Sequence, residues 1–232
     1  MESNVNVTVA YFFSIPSKSI PFAFWSMAMD RVRSRKFTGI SFSKLLGTGT
    51  GRTFTPGDAD LLQWGMVVVI DKNRIAAFDE SSIIKGWRKR AQSEFRAIMS
   101  PISSHGHWSK RQPFSPINSL HNPDSQVAAI TRARIKWNHN FRFWKAVPPV
   151  VSDLHSAPGL IAAIGIGEAP LGLQGTFSLW ESSKAIRDFA YKGHAHQEAI
   201  KQTTEIGWYS EELFARFEVL ETRGSIIKKV TD

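Results

Sequence analysis

Hydrophobic positions along this chain follow the patterns of strands and of helices, and the order in which these patterns occur is repeated. In the first half, residues 7–15 (VTVAYFFSI) have the apolar content of a buried strand, and a helical pattern begins at Pro21. An apolar run ending in glycines, a strand, a helical segment and a final strand follow, at residues 39–51, 64–70, 74–92 and 95–99. This order, βαββαβ, is that of a ferredoxin-like unit.

The second half shows the same order of elements. Its strand and helix start are residues 127–135 and the tetrapeptide FRFW at 141–144, which matches FAFW at 22–25. The remaining elements are predicted at residues 159–172, 173–180, 181–204 and 214–220, after a polar connection at 101–126. A ferredoxin-like sheet has helices on one face and needs a partner on the other. We therefore predict an α+β fold of two ferredoxin-like repeats, residues 1–120 and 121–232, whose sheets pack face to face as an α/β barrel with the helices outside.

The amino-acid composition limits the kinds of binding site and cofactor that the protein can have. The chain has 8 Trp and 16 Phe, which form either a core or the lining of a pocket for a flat apolar ligand. It has no cysteine, which excludes disulfides, thiolate-ligated haem and iron–sulfur clusters. There is no secretion signal and no apolar run long enough to span a bilayer. These features predict a soluble or peripheral protein and fit a cytoplasmic location.

Positive charge is concentrated in the first half of the chain. Residues 1–120 contain 16 Lys and Arg against 8 Asp and Glu, with clusters at 31–36 and 85–90. Such clusters can face an anionic membrane, an acidic redox protein or nucleic acid, or they can form a solvated helix face. No nucleic-acid-binding motif accompanies them, so no nucleic-acid partner is predicted. A peripheral position at the inner face of the membrane and docking of an acidic electron donor both remain open.

One histidine has the position of a metal ligand. His196 shares a helical face with Ala199, Ile200 and Thr203, and this face is predicted to point inward. His194 lies two residues earlier and is predicted to face outward. A histidine on an apolar helical face is either a hydrogen-bonded core residue or a ligand, and the periodicity leaves both open.

Several motifs resemble those of the spheroidene monooxygenase (carotenoid ketolase) family. The resemblance extends from about residue 7 to residue 222. Its motifs are SKLLGTGTGRTFT at 43–55, ITRARI at 130–135, GIGEAP at 165–170, TFSLW at 176–180, FAY at 189–191 and GWYSEELFARF at 207–217. The C-terminal block is the most specific of them. The resemblance implies haem-dependent oxygenation of an acyclic carotenoid or a similar apolar polyene, with O2 and reduced ferredoxin as co-substrates. It also implies an axial histidine on a helix of the C-terminal half. His196 matches that location, and His194 is the alternative.

The remaining site assignments follow from these motifs. Arg132 and Arg134 alternate onto one face of their strand, where one of them would pair with a haem propionate or polarise bound oxygen as a catalytic residue. The alternative for each is an outward, salt-bridged arginine. Arg52 and Phe54 are assigned to the rim of the cofactor pocket. Two further functions stay open: a haem enzyme for another apolar substrate, of dehydratase or peroxidase type, and a non-enzymatic haem-binding protein.

Overall fold

The computed structural model describes residues 5–51, 56–116, 122–135, 153–168, 175–192 and 209–226. The first repeat contains β1 (Asn6–Ser14), α1 (Ile20–Arg35), β2 (Ile40–Gly49), β3 (Ala59–Asp71), α2 (Ile75–Asp79), α3 (Ser82–Arg88) and β4 (Ser93–Gly106). The second contains β5 (Val127–Ile135), β6 (Leu160–Gly167), β7 (Gly175–Trp180), α4 (Ser183–Lys192) and β8 (Tyr209–Gly224). The predictions for Arg52, Phe54, the segment 141–144, His194 and His196 lie outside the described residues.

The strands form a closed barrel in the order β1-β3-β2-β6-β7-β5-β8-β4, and every neighbouring pair is antiparallel. Within each half, the first strand lies between the third and the fourth, and the second lies beside the third. Both halves therefore have the ferredoxin-like arrangement, and the predicted fold class is confirmed. The boundary at residue 120 falls outside the described residues, so the division into two domains stays a prediction.

The two sheets join along their edges, and the two seams differ greatly in length. The β4–β8 seam runs from Phe95 opposite Gly224 to Gly106 opposite Leu213. The β2–β6 seam contains only two residue pairs, Gly47 with Gly167 and Thr48 with Ile166. The barrel is thus firmly closed on one side and barely closed on the other.

Strand β4 is longer than predicted, because residues 101–106 belong to it and not to the connection. Pro101 and the polar residues after it are unusual in a strand, and the register shifts between Pro101 and Ser103. The strand ends at Gly106, whose φ of 88° lies in the left-handed region. A Cβ there would lie 2.1 Å from the carbonyl oxygen of Glu212, so only glycine allows this approach to β8.

The helical segment predicted at 74–92 is two short helices. The chain breaks between α2 and α3, where Ser81 is extended and its hydroxyl accepts a hydrogen bond from the backbone N–H of Ile84. Serine is a favourable N-cap because its side chain satisfies a free N–H of the first helical turn. The cap therefore starts a second helix within the stretch whose apolar pattern predicts a single helical segment.

Buried aromatic side chains of the described residues lie in three clusters, of which the two larger ones are described here and the third surrounds Trp180. Inside the barrel, Phe12 of the first repeat and Phe177 of the second meet with ring centroids 5.1 Å apart. Outside the first sheet, Tyr11, Phe13 and Trp87 pack under the helices in a second cluster. Most of the aromatic residues thus stabilise the fold by burial.

Candidate functional site

An ion pair crosses the gap where the short β2–β6 seam ends. Lys44 lies on the inner face of β2, between Phe42 and Leu46, and is only 4% exposed. Glu168 directly follows β6 and bonds the Lys44 ammonium through Oε2. The backbone ladder stops at Gly167, so these two side chains hold the strands together where the main chain no longer does.

Arg132 of β5 connects Glu168 to a second carboxylate. Its guanidinium lies 3.2 Å from Glu168 Oε1 and donates a hydrogen bond to Glu211 of β8. Glu211 also accepts the backbone N–H groups of Ser109 and Lys110, at 3.0 and 2.7 Å. Lys44, Arg132, Glu168 and Glu211 thus form one network across four segments of the chain, here called the lumen cluster.

Trp108 separates this cluster from the apolar core of the barrel. The indole is 1% exposed and donates a hydrogen bond to Glu168 Oε1 at 2.7 Å. The Lys44 ammonium and the Arg132 guanidinium lie 5.9 and 5.7 Å from its ring centroid, within cation–π range. Two cations and two carboxylates therefore balance each other on an aromatic surface.

The surroundings of the cluster keep its carboxyl groups ionised. Burial raises the pKa of Glu168, but hydrogen bonds from Lys44 and Trp108 outweigh this and hold the pKa below its ordinary value. For Glu211, burial is likewise outweighed by the backbone N–H groups of Lys110 and Ser109, and the pKa is lowered. Burial lowers the pKa of Lys44, and its bond to Glu168 offsets this only in part. The carboxylates are suited to anchoring cations and not to donating protons near neutral pH.

We expect the stability of the protein to fall in mild acid. The folded pKa values of Glu168 and Glu211 lie below their unfolded values, so their contribution is complete above about pH 5 and is lost as the pH falls through the folded values. Denaturant unfolding measured between pH 7 and pH 3 tests this. In Glu168→Gln, the loss below pH 5 should be smaller than in the wild type. Equal losses in both proteins would contradict the assignment.

The structure places both predicted arginines on one strand face, as expected. This face points into the barrel: Arg132 lies opposite Leu213, and Arg134 lies opposite Glu211. The Arg132 side chain is 6% exposed and ion-paired inward, whereas Arg134 is exposed at the end of the strand. The structure thus separates two arginines that the sequence treats alike, and their assignment to catalysis stays a prediction.

The other members of the lumen cluster were not predicted, although all three carried a signal. Lys44, Glu168 and Glu211 each lie inside a motif that carried the family resemblance. Nothing in the sequence distinguished Trp108, which lies in the segment interpreted as a connection.

The outer faces of the two sheets carry side chains of very different size. In the first repeat this face is built from bulky residues such as Tyr11, Phe13 and Trp64. The equivalent part of the second repeat carries small ones, here called the small-residue face: Ala129, Thr131, Ala133, Ala163, Gly165, Thr176 and Ser178. Beside it, Phe214 is opposite Thr131 and 42% exposed. The outer face of the second sheet thus carries smaller side chains than that of the first, and most of them are buried.

Helix α4 packs against the outer face of the second sheet at the end that contains Trp180. Ile186 packs against the sheet, and Phe189 stacks on Trp180 with ring centroids 5.3 Å apart. The described chain leaves α4 at Lys192 and re-enters the sheet at Tyr209, at the opposite end of the small-residue face. Among the described residues, no group of three or more His, Asp or Glu side chains could hold a metal ion.

Sequence comparison places this barrel among known enzymes, although no protein-family model matches the chain. Spheroidene monooxygenase of Rhodobacter capsulatus is 34% identical over 216 residues, which cover 92% of this chain and 89% of the relative. The chain belongs to the spheroidene monooxygenase family. The Cereibacter sphaeroides member is 35% identical over 189 residues, or 79% of this chain and 57% of that protein. The family resemblance in the motifs is confirmed, and the protein is an enzyme of the monooxygenase class.

Solved structures support the same fold. A crystal structure of aldoxime dehydratase in complex with butyraldoxime has a TM-score of 0.58 and 12% identity, covering 95% of this chain and 81% of the other. A second aldoxime dehydratase structure has a TM-score of 0.56 and 10% identity, covering 94% and 83%. At such identities the likeness concerns the fold alone.

Proposed function

We propose that this member of the spheroidene monooxygenase family is a haem-dependent ketolase. Its substrate would be an acyclic carotenoid or a similar apolar polyene, with O2 as the oxidant and a reduced ferredoxin as the electron donor. Family membership supports the reaction class. The observation that carries the haem is the small-residue face of the second sheet, which has no counterpart in the first.

The small-residue face fits a planar apolar group. Side chains no larger than threonine line neighbouring positions on β5, β6 and β7, whereas β1 and β3 of the first repeat carry tyrosine, phenylalanine and tryptophan on the equivalent face. Smaller side chains leave room for another group to pack against the sheet, because protein interiors are close-packed. The exposed ring of Phe214 borders the face and offers a stacking surface. The small-residue face and Phe214 together form a flat binding surface, here called the bed, for a porphyrin or for the end of a polyene.

The axial ligand proposed for this bed is His196, with His194 as the alternative. The absence of cysteine leaves His, Met or Tyr as ligands for a haem iron, and neutral imidazole is the usual choice. His196 follows α4 by four residues, and α4 packs on the same outer face. Arg52 and Phe54 remain proposed rim residues.

Bound haem would supply the oxygen chemistry, and the protein would orient the substrate. The apolar surface of Ala129, Ala133 and Phe214 would keep water from the polyene. Ser178 would not act on the substrate, because its hydroxyl accepts the indole N–H of Trp180 at 2.9 Å. Arg132 and Arg134 lie on the opposite, inner face of β5, so their proposed catalytic role is tested separately from the bed.

The proposed function is tested by the absorption spectrum and by product analysis. The full chain, expressed with a haem precursor, should show a Soret band. With an acyclic carotenoid, O2 and reduced ferredoxin, it should yield a ketone in which one oxygen replaces two hydrogens. Omitting O2 or ferredoxin should abolish the product. A haem-loaded protein that leaves the carotenoid unchanged would overturn the substrate, and a protein that takes up no haem would overturn the cofactor.

The bed itself is tested by filling it. Thr131→Trp places a large ring on the small-residue face and should remove most of the Soret absorbance while the protein remains folded. The control is Thr222→Trp, an exposed threonine on β8 outside this face, which should keep wild-type haem content. Full haem occupancy in Thr131→Trp would show that the haem binds elsewhere.

A further inference from the structure

Helix α1 is polarised in the opposite sense to an ordinary surface helix. Surface helices normally bury an apolar stripe and expose polar residues. The buried residues of α1 are instead Ala23, Ser26, Asp30 and Ser34. Four of its large apolar residues point outward and form what is here called the apolar stripe, with their exposed fractions: Phe24 41%, Trp25 54%, Met29 45% and Val32 50%. Two others, Phe22 and Met27, are partly buried against the core.

The apolar stripe is continuous and extends beyond the helix. Its four residues lie within one face, because positions three and four residues apart are neighbours on a helix. Phe24 also packs edge-on against Trp64, whose indole donates to the carbonyl of Leu61. Leu61 and Leu62 are themselves 40% and 44% exposed. A contiguous apolar surface of this kind marks an interaction site.

Basic residues surround the apolar stripe. The side chains of Arg31 and Arg33 are 52% and 42% exposed, and Arg31 also lies 3.8 Å from Glu168 of the lumen cluster. Arg35 and Lys36 follow at the end of the helix. Trp25 and Arg33 line one groove together with Arg90, which follows α3. The one acidic residue of α1, Asp30, is buried and paired with Arg33 at 3.1 Å. The outward surface of α1 is therefore apolar in the middle and positive around it.

We propose that this surface docks the protein onto an anionic lipid bilayer. Trp25, Met29 and Val32 would enter the boundary between headgroups and acyl chains, as in helices that lie in the membrane interface. The surrounding basic side chains would bind lipid phosphates. A second copy of this chain is disfavoured, because a two-fold interface through α1 would bring two positive rims together. None of the described helices is long and apolar enough to cross a bilayer, and the docking requires no crossing.

The test is vesicle flotation with the full chain. We expect binding to vesicles of equal parts phosphatidylcholine and phosphatidylglycerol, weakened by salt, and little binding to phosphatidylcholine alone. Trp25→Ser/Met29→Ser should weaken the binding at least tenfold, since full burial of a large apolar side chain contributes a factor of about ten or more and these two are about half exposed in the free protein. Arg35→Gln/Lys36→Gln should weaken it about 25-fold, since each basic residue near an anionic surface contributes roughly fivefold.

Matched controls distinguish binding through the α1 surface from nonspecific binding through other exposed apolar or basic side chains. Tyr191→Ser/Leu220→Ser removes two other exposed apolar residues, and Lys184→Gln/Arg187→Gln removes two positive charges from α4. Both should bind like the wild type. Equal losses in test and control variants would overturn the proposal, as would no binding to anionic vesicles. A dimer without vesicles that Trp25→Ser/Met29→Ser dissociates would instead assign the face to a second copy. Because haem content plays no part in the readout, failure here is distinguishable from failure of the proposed function.

Discussion

Replacing His196 by alanine is expected to abolish the Soret band and, with it, carotenoid oxygenation. An axial imidazole is the one covalent link between such a protein and the haem iron. Its loss leaves only the apolar bed and any propionate contacts to hold the cofactor. The measurement is the absorption spectrum of the purified full chain after expression with a haem precursor, followed by titration with added haem.

His194→Ala is the matched control, because it removes the same side chain two residues earlier. It should keep the Soret band and the activity of the wild type. Loss of the band in His194→Ala alone would transfer the ligand to His194 and leave the cofactor in place. An unchanged band in both variants would exclude His194 and His196 as the ligand. The spectrum thus decides between His196, which helical periodicity favours, and His194, which it does not exclude.

Replacing Arg132 by methionine is expected to lower the free energy of unfolding by about 3–5 kcal/mol, which is the usual cost of leaving a buried charge without its partner. Arg132 contacts both carboxylates of the lumen cluster, Glu168 and Glu211, and no other side chain of the described residues does so. Glu168 would keep Lys44 and Trp108, and Glu211 would keep two backbone donors. The two carboxylates would nevertheless lose the cation that lies between them, while Lys44 and Arg31 remain beside Glu168 only. Denaturant unfolding at neutral pH measures the change.

Arg134→Met is the control for this variant, since it lies two residues further along the same strand face. Arg134 is exposed, so its replacement should change the free energy of unfolding by less than about 0.5 kcal/mol. Equal costs for the two variants would contradict a coupled cluster. The haem spectrum gives an independent readout. We expect it to be unchanged in folded Arg132→Met, whereas a shifted Soret band would favour the sequence-based assignment of this arginine to the haem pocket.

Much of the architecture was predictable because it rests on local patterns. The strand at residues 127–135 coincides with β5, and the repeated βαββαβ order is present in the barrel. Errors occurred where a distant partner overrides local composition. Residues 101–106 look like a loop, yet they form a strand because β8 supplies a long edge to pair with.

The candidate site was only half predictable for the same reason. The shared face of Arg132 and Arg134 follows from the strand period, but the direction of that face does not. Lys44 and Glu168 are 124 residues apart, and Arg132 and Glu211 are 79 apart. No spacing rule connects such pairs, because they meet only when β2 and β6 approach at the short seam and the barrel closes.

The amino-acid sequence alone therefore determined the repeated order of elements, the lack of thiol chemistry and the membership of an oxygenase family. The first two depend on residue types and short-range periodicity, and the third depends on motifs that the chain shares with known relatives. Tertiary structure alone decided which residues share the outer face of each sheet, how the lumen charges are paired, and that α1 turns Phe24 and Trp25 outward. These depend on the packing of segments far apart in the chain, where the space left by one repeat is visible only beside the other.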